Sequence, residues 1–179
     1  MANLLDILNE IRIKPAGEFS GRPPDYETRL RINQYIQNGS KGDLDLSNTN
    51  IRTLGFLKKV RGNLNLNNCR DLKSLGDLRY VTQGLYARNC TNLTTLGRLQ
   101  EIGGMGDFEN CTALVSLGNL ERVRWDFDLT DCESLESLGN LKFVGDRLYI
   151  IGTPIAQNYS EREVREQVWV ERQILKDRF

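Results

Sequence analysis

The sequence predicts an α/β repeat solenoid, a chain wound into about six short coils around one main parallel β-sheet, with a helical cap at each end. Three observations predict it. Cys69, Cys90, Cys111 and Cys132 follow one another at a constant step of 21 residues, with Thr49 20 residues before the first and Thr153 21 after the last. Around these anchors run apolar columns: Leu46, Leu66, Ala87, Phe108, Leu129 and Ile150 lie three residues before them, and Ile51, Leu72, Leu93, Leu114 and Leu135 three after. A further leucine of each repeat is followed by glycine, giving Gly55, Gly76, Gly97, Gly118 and Gly139.

Taken in order, the chain divides into four parts. Residues 1–24 hold an amphipathic segment and a linker: Leu4, Ile7, Leu8 and Ile11 share one face of a helix from about Asn3 to Ile11, and Lys14–Pro24 holds three prolines and two glycines. Residues 25–42 form the first cap, a helix over Asp25–Asn38 with Pro24 near its first turn and Gly39 past its end. Its Leu30, Ile32, Tyr35 and Ile36 are expected to cover the first coil. Residues 43–155 are the solenoid. Each L-x-L run is a strand whose two leucines point inward. The return path of so short a repeat has no room for a full helix and is left to turns, 3₁₀ pieces or a minor second sheet. Residues 156–179 are the second cap. A closing helix is expected from Ser160 to about Lys176, with Ser160 and Glu163 at capping-box spacing and Trp169 nearly opposite its apolar face.

Repeat two reads LNLNNCRDLKSLGDLRYV. This pattern resembles a leucine-rich repeat of short period, and its L-x-x-L-G-x-L-x-x-V half resembles the L-domain variety, whose coils carry little helix. The run INQYIQNGSKGDLDLSNTNI is similar to the openings of such arrays in bacterial and phage-encoded repeat proteins. The resemblance implies a right-handed superhelix and a binding role, with interference in a host cell as one setting for it.

Composition narrows the classes. The 179 residues carry 24 basic and 24 acidic side chains and no histidine. Zero net charge gives no support to nucleic acid as a partner, and the lack of histidine removes the commonest general base. The opening MANLLDILNE lacks a basic n-region and does not read as a signal peptide. No apolar run is long enough for a membrane span. Cysteines without a secretory signal suggest reduced thiols in the cytoplasm.

Two ladders are read as structure. The cysteines keep the period of the repeat, not the short mixed spacing of a metal site. They are taken as a buried thiol ladder. Asn48, Asn68, Asn89, Asn110 and Asp131 precede the anchors and are taken as turn formers.

The candidate site is the outward face of the main sheet. Its first two coils hold Asp and Asn. From the third on, it gains Tyr86, Arg88, Met105, Arg147 and Tyr149 around Asp107, Glu109, Asp126 and Asp128, with Trp125 at the rim. Tyr, Trp, Met and Arg are enriched in interfaces. Asp107 and Asp128 are expected side by side on adjacent strands, where like charges repel unless a basic group meets them. The carboxylates Asp107, Asp126 and Asp128 are the one constellation for a divalent cation, but calcium takes roughly six to eight oxygens and a flat sheet offers few. The reading is therefore a non-catalytic module with no metal or cofactor. Its partner is a protein with a basic surface, which it inhibits or recruits. A monomer is favoured. A structural scaffold, self-associating through the N-terminal helix, is the alternative.

Overall fold

The structure is a computed structural model and describes residues 23–177. The N-terminal amphipathic segment and most of the linker lie outside the described residues. Helix α1 spans Tyr26–Gln37, with Gly39 and Ser40 in left-handed conformations just past its end. It buries Ile32 and Tyr35 in the core, with Ile36 packed against it. Leu30, expected to share that duty, is 40% exposed instead.

Past α1 the chain winds into a parallel β-solenoid of about five turns. One sheet holds β1 (Leu44–Asp45), β3 (Leu64–Asn65), β5 (Leu85–Tyr86), β7 (Gly106–Asp107), β9 (Phe127–Asp128), β11 (Arg147–Tyr149) and β13 (Gln173–Leu175). The return path forms a second sheet: β2 (Lys59–Val60), β4 (Tyr80–Val81), β6 (Glu101–Ile102), β8 (Arg122–Val123), β10 (Phe143–Val144) and β12 (Trp169–Val170). Of the alternatives for the return path, the second sheet is the one that forms, and with six strands against seven it is not a minor one. The second forms because Val60, Val81, Ile102, Val123 and Val144 are buried while the residue before each faces outward, which is strand alternation on β-branched residues.

The apolar columns are the core, and the exceptions within them fit together. Phe127 lies over Gly106, where an added Cβ would come 2.9 Å from its ring. Phe108 and Phe127 meet edge to face, with centroids 5.9 Å apart. Interiors pack to crystal density, so a large residue in one layer demands a small one beside it.

The corner after each strand of the first sheet is held by both ladders. Asn48, Asn68, Asn89, Asn110 and Asp131 all have φ between 57° and 62°. Asparagine tolerates this left-handed turn better than most residues. Here the amides also join in line: Asn68 donates to Asn48 (3.0 Å), Asn89 to Asn68 (3.0 Å) and Asn110 to Asn89 (2.7 Å). Beside them, Cys69, Cys90, Cys111 and Cys132 are free and buried. Their thiols donate to the carbonyls of Leu46, Leu66, Ala87 and Phe108 in the preceding turn, at 3.1–3.3 Å. Thr153 ends this column with two roles: its hydroxyl donates to the Ile150 carbonyl (2.6 Å) and accepts from Ala156 N (3.1 Å), capping the next helix. The repeat glycines form a second left-handed corner. At Gly118 a Cβ would lie 2.3 Å from the Gly97 carbonyl oxygen, so a side chain is excluded by backbone as well as by φ.

The largest departure is at the C-terminus. The closing helix expected from Ser160 to about Lys176 is only the short α3 (Glu161–Gln167), preceded by another short helix, α2 (Pro154–Asn158), and followed by β12 and β13. The capping box of Ser160 and Glu163 is present. Beyond α3 the chain instead rejoins the solenoid, with Val144 opposite Val170 and Leu148 opposite Ile174. Val170 and Ile174 are buried as strand residues, and the segment between β11 and β13 is a longer turn of the same coil. Arginines from helices reach the carbonyls of strands or their flanks at both ends: Arg31 of α1 donates to Asp45 in the terminal strand β1, and Arg165 of α3 donates to Val170 (2.8 Å) and Arg172 (3.1 Å).

Candidate protein-binding face

The outward face of the seven-stranded sheet carries the predicted residues in register. Tyr86 pairs with Asp107, Asp107 with Asp128, and Asp128 with Tyr149. Many of its acidic and amide side chains turn out to serve the backbone. Asp45, Asn65, Asp107 and Asp128 each accept the N–H two residues on, at 2.9–3.3 Å, the geometry of an Asx turn. Asp43, Asn63 and Asp126 accept the N–H of the next turn's equivalent residue at 2.7–3.0 Å. Asn67 accepts Arg88 N at 2.8 Å.

Asp107 is the sharpest difference. It stands on an outward-facing column yet is only 3% exposed. Arg88 pairs with it through Nε and reaches Glu109 through Nη1 at 3.1 Å. The basic group expected from a partner is thus already supplied within the chain. Burial still raises the Asp107 carboxyl above its usual pKa, Arg88 and the Glu109 N–H pull it back, and Asp128 adds to the rise. Asp107, Glu109 and Asp128 offer oxygens within 4.8 Å of one another. Asp126, expected with them, instead holds Arg147 N. With Arg88 among these carboxylates, the counter-charge that a cation would provide is in place.

The aromatic residues are placed differently. Tyr86 folds back along its own strand, with its hydroxyl 2.5 Å from where a Gly84 Cβ would stand. Only glycine at 84 lets the ring lie down. Tyr149 accepts from Arg147 Nη1 at 3.0 Å. Both tyrosines and Met105 are half-buried, so they present ring or thioether surface without projecting from the sheet. Trp125, at the turn between β8 and β9, is 66% exposed. The predicted residues therefore divide in three. Tyr86, Arg88, Met105, Glu109, Trp125, Arg147 and Tyr149 present surface, Asp126 and Asp128 present surface and hold the backbone, and Asp107 is buried.

The second sheet presents a further outward column that sequence reasoning missed: Lys59, Tyr80, Glu101, Arg122, Phe143 and Trp169, paired strand to strand. Trp169 is 68% exposed. The signal was legible, since each of the first five directly precedes a residue of the Val/Ile column.

Among the described residues no helix is long and apolar enough to cross a membrane. No protein-family model matches the chain, nor does any curated protein or solved structure.

Proposed function

We propose that the chain is a solenoid of the leucine-rich-repeat kind, right-handed, closed at its ends by α1 and α3, and that it acts as a non-catalytic protein-binding module of the cytoplasm. Its partner meets the outward face of the seven-stranded sheet from β5 to β11, and the module inhibits or recruits that partner. One observation carries the reading. Where Asp and Asn occupy this face they bond the backbone, whereas Tyr86, Met105 and Tyr149 break that pattern and gain surface suited to an interface. The rigid corner ladders support it, since a preformed surface pays little ordering cost on binding. The four free thiols support a reducing compartment. Apart from the carboxylates that Arg88 neutralises, Asp126 and Asp128 form no ion pair among the described residues, which favours a partner bearing Lys or Arg.

The test is affinity capture from a cell extract with paired variants. Tyr86→Ala with Asp128→Asn should abolish retention of the partner, the asparagine keeping the Asx turn. Ser47→Ala with Asp45→Asn should leave it intact. Loss with the second pair and not the first would move the site to the opening coils.

A further inference from the structure

The even-numbered strands carry a face of different character. At its N-terminal end Lys58, Lys59, Arg61 and Arg79 are exposed, and none of them pairs with a carboxylate among the described residues. At its centre the charges neutralise one another, Arg124 with Glu101 (2.5 Å) and Lys142 with Glu121 (3.2 Å). At its far end the surface is aromatic: Phe143, with the Arg122 guanidinium 4.9 Å above its ring, stands beside exposed Trp169. A zero net charge thus hides a face that is cationic at one end and aromatic at the other. A depression of about 440 Å³ opens next to the cationic end, between Lys59, Tyr80, Thr82, Glu101 and Arg124, with Gly103 in its lining.

We propose that this face is a second binding site, and that it takes an extended protein segment bearing carboxylates at one end and a bulky apolar side chain roughly 20 Å further along. Charge complementarity fixes the acidic end at Lys59, Arg61 and Arg79, and Trp169 anchors the apolar one. Size argues for a segment and against a second copy. Five strand spacings from β2 to β12 make the strip about 24 Å long. Its strands are two residues each, about 7 Å, so the strip offers roughly 170 Å², well short of the ~800 Å² that each partner buries in a stable dimer. An extended chain spans the same length in about seven residues. This site is independent of the proposed site on the seven-stranded sheet, and the two together make the solenoid a bridge between a basic partner and an acidic segment.

The experiment pans a displayed library of random peptides, about twelve residues long, against the full chain. Enriched peptides are then synthesised and titrated by fluorescence anisotropy. The expected sequences pair Asp or Glu at one end with an aromatic or large aliphatic residue at the other. Their affinity should fall about tenfold or more in Lys59→Glu/Arg61→Glu, and likewise in Trp169→Ala. It should also weaken between about 50 and 500 mM NaCl, as screening lengths shorten. Tyr86→Ala/Asp128→Asn, which tests the other face, should bind as the parent does. Circular dichroism confirms that the variants fold. The inference is overturned if no such class is enriched, or if the two even-sheet variants bind like the parent. Tighter binding of a thymidine oligonucleotide would give the face to nucleic acid. Concentration-dependent self-association lost in Lys59→Glu/Arg61→Glu would give it to a second copy. Either result would also overturn it.

Discussion

Asn89 sits in the middle of the amide ladder, and replacing it separates two contributions to the corner. Its backbone has φ 59°, and its side chain donates to Asn68 at 3.0 Å and accepts from Asn110 at 2.7 Å. Asn89→Gly keeps the turn at ease and removes both hydrogen bonds. At about 0.5–1.5 kcal/mol each, and toward the low end for groups that water reaches, the loss is about 1–2 kcal/mol. Asn89→Ala removes the same bonds and also forces a Cβ into the left-handed region, which adds about 1 kcal/mol or more. The alanine variant should therefore be the less stable, by about 2–4 kcal/mol against the parent. That order reverses the usual effect in regular structure, where glycine is the costlier residue. Urea unfolding midpoints of the three proteins measure it, provided the slopes agree. An alanine variant as stable as the glycine one would refute the left-handed ladder. Two variants both equal to the parent would refute the hydrogen bonds.

Three further outcomes follow from the same geometry. Leu96→Ala, in a fully buried column of the middle turn, should cost about 2–5 kcal/mol, and an unchanged denaturation midpoint would take that column out of the core. The four thiols should label slowly in the native protein and quickly in denaturant. Burial raises the pKa of Cys69 and pushes Cys132 up to about 12, and each thiol donates to a buried carbonyl, so rapid native labelling of all four would contradict the ladder. Arg88→Ala should make stability more sensitive to pH. Asp107 has a folded pKa raised first by burial and held back by Arg88, so the folded state binds its proton more tightly than the unfolded state does. Its contribution therefore falls as pH rises from about 4 through the folded value. Without Arg88 that value moves higher, and the stability gap between parent and variant should widen between about pH 4 and 7. A gap independent of pH, read from urea midpoints across that range, would refute the pairing.

The sequence showed the inner surface of this protein better than its outer one. Core columns, thiol anchors and corner glycines repeat because every turn meets the same packing demand, and repetition is legible without coordinates. The second sheet was harder to read. The Val/Ile column marked where it would lie, but one buried position per repeat, Val60 after Lys59 or Val123 after Arg122, does not separate a strand from a turn, whereas the first sheet has two apolar positions per repeat. The C-terminus misled for a physical reason. The genuine capping box at Ser160 starts a helix, and the longer excursion moves Val170 and Ile174 off the 21-residue step, so their strand character is hidden. The burial of Asp107 was not legible either, because it depends on Arg88 reaching across from the adjacent strand. Nor could the sequence separate aspartates that hold the backbone from those that only face solvent. That distinction moved the candidate site toward Tyr86, Met105, Trp125 and Tyr149.

The most direct test of the proposed binding face is hydrogen–deuterium exchange of the captured complex against the free chain, followed by peptide. Slowed exchange is expected over segments 84–88, 105–109, 126–130 and 147–151, whose outward side chains form the face from β5 to β11, with the opening strand at 43–47 little changed. Protection confined to 58–61 and 79–82, or absent from all four predicted segments, would contradict it.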